Sequence, residues 1–109
     1  MTKYLISFPS ATMNVTAEEL PEVSAASHAV VAEAKAAGVW VFGGGIDEDV
    51  APVLVHDDGS VSNQTSHLDG GYTVIEVPTR EEALEWARKI AVGCRCPQEL
   101  REFMYDPES

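Results

Sequence analysis

The sequence predicts an α+β domain, and three observations carry that prediction. Residues 3–8 alternate in polarity, as a strand with one buried face does. Two Thr-x-x-Glu boxes, Thr16–Glu19 and Thr79–Glu82, each open a stretch with apolar residues at helical spacing. Two runs rich in apolar and β-branched residues, 39–42 and 72–77, lie beside glycines and read as further strands.

In order along the chain, Tyr4, Ile6 and Phe8 point one way and Pro9 ends the first strand. A helix follows to Gly38, over about 17–37, with Val23, Ala26, Ser27, Val30, Ala34 and Ala37 on one stripe. Pro21 is acceptable only near its start, and Gly38 stops it. Val39-Trp40-Val41-Phe42 suits a strand buried on both faces, and Gly43-Gly44-Gly45 makes a tight corner. Residues 52–56 and 60–63 form a hairpin across Asp57-Asp58-Gly59. A polar loop then leads to the strand Tyr72–Val77. The second helix, over about 79–92, carries Ala83, Trp86, Ala87 and Ile90 on its stripe, pairs Glu85 with Lys89, and ends near Gly93. Leu100–Tyr105 supplies a last strand. The order is βαβ, a hairpin insertion, then βαβ, which folds readily into a ferredoxin-like βαββαβ sheet with both helices on one face. Tyr4, Trp40, Phe42, Tyr72 and Val74 exceed what one helical layer needs, so a homodimer packed sheet to sheet is expected.

Length and charge narrow the function. At 109 residues the chain makes a single domain, 1–109. With 18 acidic and 7 basic residues its net charge is −11, which repels nucleic acid and anionic membranes. Neither a membrane span nor a secretory signal is legible, so a cytoplasmic location is expected. Cys94 and Cys96 are too close for an unstrained disulfide and lack further ligands at metal spacing. Free thiols, with no metal and no cofactor, are expected.

Several segments resemble a known family. Residues 27–45 (Ser27-His28-Ala29-Val30 through Trp40-Val41-Phe42-Gly43-Gly44-Gly45) look like the helix-to-strand part of YCII-related proteins, in the branch called DGPF. Gly70–Val77 and Arg80–Ala87 look like that family's second half, and Arg95–Phe103 resembles the close of some members. The resemblance implies a ferredoxin-like domain that dimerises into an α/β barrel. Relatives of that barrel include small isomerases, dehydrochlorinases and cofactor-free monooxygenases. In parts of the YCII group a His and an Asp are proposed as an acid/base pair. This chain departs from the pattern twice: residues 62–68 replace the Asp-Gly-Pro-Phe motif, and Ala91-Val92-Gly93 replaces an Asp-Pro after the second helix.

The residues that could carry chemistry are few. His28 and His67 are candidate general bases, with Asp47 as a candidate orienting carboxylate. His28 falls about 140° around the helix from Val23, off the apolar stripe, which also suits a solvated histidine. Trp40, Gly43, Gly44, His56 and Tyr72 are candidate ligand contacts, because glycines let a ligand approach the backbone and loop residues beside a sheet often line pockets. Asp47-Glu48-Asp49 lacks the ligand series of a calcium loop and reads as a solvated turn. Two functions follow: a small-molecule-binding domain with an accessory or regulatory role, or a small cofactor-independent isomerase, dehydrochlorinase or lyase with a His base.

Overall fold

The N-terminal alternation becomes β1, Thr2–Phe8, an inner strand of a four-stranded antiparallel sheet in a computed structural model covering residues 1–109. A single 3-10 turn, Ser10–Thr12, leads toward α1, Leu20–Ala36. The Thr16 box forms, but one turn ahead of the helix. Glu19 N donates to Thr16 Oγ1 at 3.2 Å, and Thr16 Oγ1 donates to Glu19 Oε1 at 3.0 Å. Pro21 has no N–H to continue that turn's ladder, so regular helix starts beside it. After Ala37, Gly38 at φ +75 closes the end as expected.

The remaining elements are β2 (Trp40–Gly45), β3 (Leu54–Val55), β4 (Val61–Ser62), β5 (Gly71–Val77), α2 (Arg80–Cys94) and β6 (Glu99–Glu102). The sheet runs β2-β5-β1-β6, with β3 and β4 forming a separate hairpin. Thr79 caps α2 through Glu82 N at 3.2 Å, as its box predicts. The architecture is therefore α+β: two helices, one antiparallel sheet and one small hairpin. No helix is long and apolar enough to cross a membrane.

Three local expectations are corrected, while α2 ends at Cys94, near Gly93 as expected. β2 is not buried on both faces: it is an edge strand, and Val41 and Phe42 are exposed. A register shift between Trp40 and Phe42 sends these two rings to opposite faces of the sheet. Gly93 does not stop α2 but lies buried within it, where α1 passes so close that a Cβ would meet Ala26 O at 3.3 Å. The stop is Arg95, in the left-handed conformation at φ 55 and held by ion pairs to Glu19 and Glu22. Lys89 pairs with Glu33 of α1 rather than with Glu85, which takes Arg88 instead. The last strand stops at Glu102, leaving Phe103, Met104 and Tyr105 exposed.

Register fixes which side chains face the helices. Tyr4, Ile6, Ile75 and Val77 form the core with Ala83 and Ala87 of α2, and Val39, Trp86, Ile90 and Leu100 pack around them. Trp40 stands opposite Ile75 and therefore on this same side. The alternate row, Lys3, Leu5 and Ser7 with Glu76, Val74, Tyr72 and Phe42, lies on the other face. No element of this chain covers that face as the helices cover the first. Only 12 of 109 residues are buried, and the molecule is a slab of 43 × 42 × 19 Å. Its accessible surface, 7643 Å², exceeds the roughly 5,900 Å² of a monomer this size.

Candidate functional site

A cleft of about 440 Å³ opens between α1, the end of α2 and the β2 edge of the sheet. Small-molecule sites typically span about 300–1,000 Å³, so this one suits a compact ligand. Its lining includes five of the candidates read from the sequence: His28, Trp40, Gly43, Gly44 and Tyr72. The local structure explains how they meet. His28, Val31 and Lys35 are three and four residues apart on α1 and share one face of it. The strand β2 supplies Trp40 and the glycine run.

A Cβ on Gly43 would lie 2.5 Å from the far edge of the Trp40 ring, so the indole packs against bare backbone and would have to shift for any side chain here. Gly44 and Gly45 are different. A Cβ on either would find its nearest neighbours at 3.8 and 3.7 Å, which is ordinary contact. Their lack of side chains is not forced by packing, and Gly44, opposite Tyr72, lies bare on the Phe42 side of the strand.

Polar groups in the cleft are Ser27, His28, Lys35, Thr73, Cys94 and Gln98. Ser27 Oγ and Cys94 Sγ lie 3.3 Å apart and tie α1 to α2 at its inner end. Burial pushes the neighbouring Cys96 thiol up, so it stays protonated and unreactive, with Gln98 donating to its sulfur at 3.4 Å. No three His, Cys, Asp or Glu side chains converge as metal ligands do.

The other candidates lie elsewhere. His56 Nε2 meets Ser62 Oγ at 2.9 Å across the exposed β3–β4 hairpin. Asp47 Oδ1 accepts from Asp49 N at 3.1 Å within its own turn, and Asp47 borders one opening together with His67, with no hydrogen bond between the two. His67 has a different carboxylate: its Nε2 lies 3.0 Å from Asp69 Oδ2. Asp69 is well ordered by its neighbours, accepting from Ser10 N at 3.0 Å and Ser10 Oγ at 2.7 Å. These two Ser10 bonds, with a smaller contribution from His67, hold its carboxyl below the usual range. The pair borders a second opening of about 380 Å³, beside Leu5, Tyr72 and Arg101 on the bare face of the sheet.

Asp69 and Lys35 are side chains bordering these openings that the sequence did not single out. The His67-Leu68-Asp69 spacing was the available signal for the first, since residues two apart in extended chain point the same way. Nothing in the sequence flags Lys35, whose distinction lies in its surroundings. Among known proteins, neither a family model nor a curated relative matches this chain.

Proposed function

We propose that this chain is a small-molecule-binding domain of the YCII-related, DGPF-branch type, with a ferredoxin-like fold and an accessory or regulatory role. The observation that carries this reading is the 440 Å³ cleft, lined by Val31, Trp40, Gly43 and Ile90, where the Trp40 ring edge packs against bare Gly43. An apolar lining with a few polar groups at its edges is what a binding pocket needs. The strand order β2-β5-β1-β6 supports the ferredoxin-like assignment, because it is the order that interlocked βαβ units produce.

The same proposal includes a homodimer joined through the bare sheet face. Leu5, Phe42, Tyr72 and Val74 form the apolar centre of that face, with the ion pairs Lys3–Glu76 and Arg101–Glu99 around it. The surface excess over a typical monomer is about 1,700 Å², more than the roughly 800 Å² each partner buries in a standard interface. A two-fold pairing of this face gives the dimeric α/β barrel.

Titration of the ¹⁵N-labelled protein with a set of small aromatic and aliphatic compounds tests the binding reading. Binders are expected to shift the Trp40 indole N–H and the Gly43 and Gly44 amides together. Binding that maps to other surfaces, or no binding at all, overturns the reading.

One observation favours the second reading, a cofactor-independent enzyme. If His67 donates from Nε2 to Asp69, its Nδ1 lone pair is free to take a proton from a carbon acid. In that reading the reaction occurs at the opening beside Leu5 and Tyr72, and turnover that survives His67→Asn removes it.

A further inference from the structure

The charge around the clefts is unevenly distributed. The chain holds 18 acidic residues, and three of its clefts each include at least two of them: Glu76 and Asp106 in one, Asp47, Glu48 and Asp69 in another, Asp69 and Glu99 in the third. The cleft beneath α1 has the largest lining of the four and includes no carboxylate at all. Its only side chains able to carry charge near neutral pH are Lys35 and His28.

Lys35 is also unlike every other cation in the chain. Of 7 Lys and Arg residues, six have a carboxylate oxygen within 4 Å: Lys3, Arg80, Arg88, Lys89, Arg95 and Arg101. Lys35 has none. In a protein with such an acidic excess, a free ammonium would ordinarily find a partner. The helix C-terminus accounts for a basic residue in the last turn of α1. It does not account for the absence of carboxylates from the whole lining.

We infer that the cleft takes a small organic anion, a flat apolar body bearing a carboxylate or a group of like charge. This rests on the binding reading above and specifies the ligand for that site. The body lies against the Trp40 ring, and the anionic end faces Lys35. The negative field of the whole protein would otherwise repel such a ligand. A local cation in a cleft free of acids reverses that field where the ligand binds.

Benzoate and benzamide, which have nearly the same shape and differ in charge, test the inference by ¹H–¹⁵N titration of the full chain. Benzoate is expected to bind about two- to fivefold more tightly, the effect of one partly exposed ion pair. Lys35→Met should abolish that preference, so that the two compounds bind equally. Arg88→Gln, which removes the same charge from a site off the cleft, should preserve it. Equal binding of the two compounds, or a preference that survives Lys35→Met, overturns the anion inference and leaves the binding reading standing. If neither compound shifts the Trp40, Gly43 and Gly44 signals, the binding reading falls and the inference falls with it.

Discussion

The Trp40 indole lies so close to Gly43 that a Cβ on the glycine would come within 2.5 Å of the ring. The far edge of the ring thus occupies the space a side chain at 43 would take, in the lining of the cleft beside α1. Gly43→Ala should therefore push the indole up into the cleft. Overpacking of this kind costs about 1–3 kcal/mol. Urea unfolding should show that loss, and the same variant should lose small-molecule binding. An alanine variant with unchanged stability and binding would mean that the ring swings aside freely.

The bare sheet face predicts the oligomeric state. Val74 sits at its centre, opposite Leu5 on one side and Phe42 on the other. Light scattering at low micromolar concentration should give a dimer for the native chain. Val74→Asp should give a folded monomer, because the substitution places an unpaired charge in the middle of the interface without touching the helix-side core. A native monomer under these conditions removes the sheet-to-sheet pairing.

Asp69 predicts a pH dependence. Its carboxyl titrates below the usual 3.8 in the folded chain, chiefly because Ser10 N–H and Oγ–H stabilise the charged form. The unfolded chain takes up that proton first as pH falls. The contribution is thus fully present at neutral pH, begins to fade near pH 4–5, and is gone below the folded value. Native and Asp69→Asn proteins should differ in stability at pH 7, and the gap should narrow steadily on acidification. A gap that is constant with pH would assign the loss to packing rather than to the carboxylate.

Much of this was legible in the sequence, for reasons that differ from residue to residue. The alternation at Tyr4, Ile6 and Phe8 and the cap at Thr79 depend on neighbours within a few positions, and local pattern predicts both. Burial of Val39–Phe42 does not, because an apolar run gives no sign of whether its strand lies at the centre or the edge of a sheet. Gly93 marked the end of α2 to within one residue, but for another reason than a glycine stop. Near a helix end, glycine usually marks the stop, but here it marks the point where α1 crosses α2. Of the site, Trp40, Gly43, Gly44, Tyr72 and His28 could be named because their residue types are suggestive. Lys35 could not, since its isolation from every carboxylate depends on where 18 acidic residues fall in three dimensions.

Gly70 and Gly59 predict different outcomes from nearly the same backbone. Both have positive φ, +80 and +86, where an L side chain is strained by about 1–2 kcal/mol. At Gly59, in the turn of the β3–β4 hairpin, nothing lies within 4 Å of an added Cβ. At Gly70 a Cβ would lie 1.8 Å from Phe8 O, and Ser10 N is close by as well. Those are backbone atoms at the end of β1, and they cannot rotate away as a side chain does. Moving them would also disturb the Ser10–Asp69 bonds that hold the His67 loop. Gly59→Ala should accordingly cost about 1 kcal/mol and leave the fold intact. Gly70→Ala should cost several times more and should release the shifted Asp69 titration along with it. Equal melting temperatures for the two variants would show that the loop yields at Gly70, and that the close approach to Phe8 is not a fixed part of the fold.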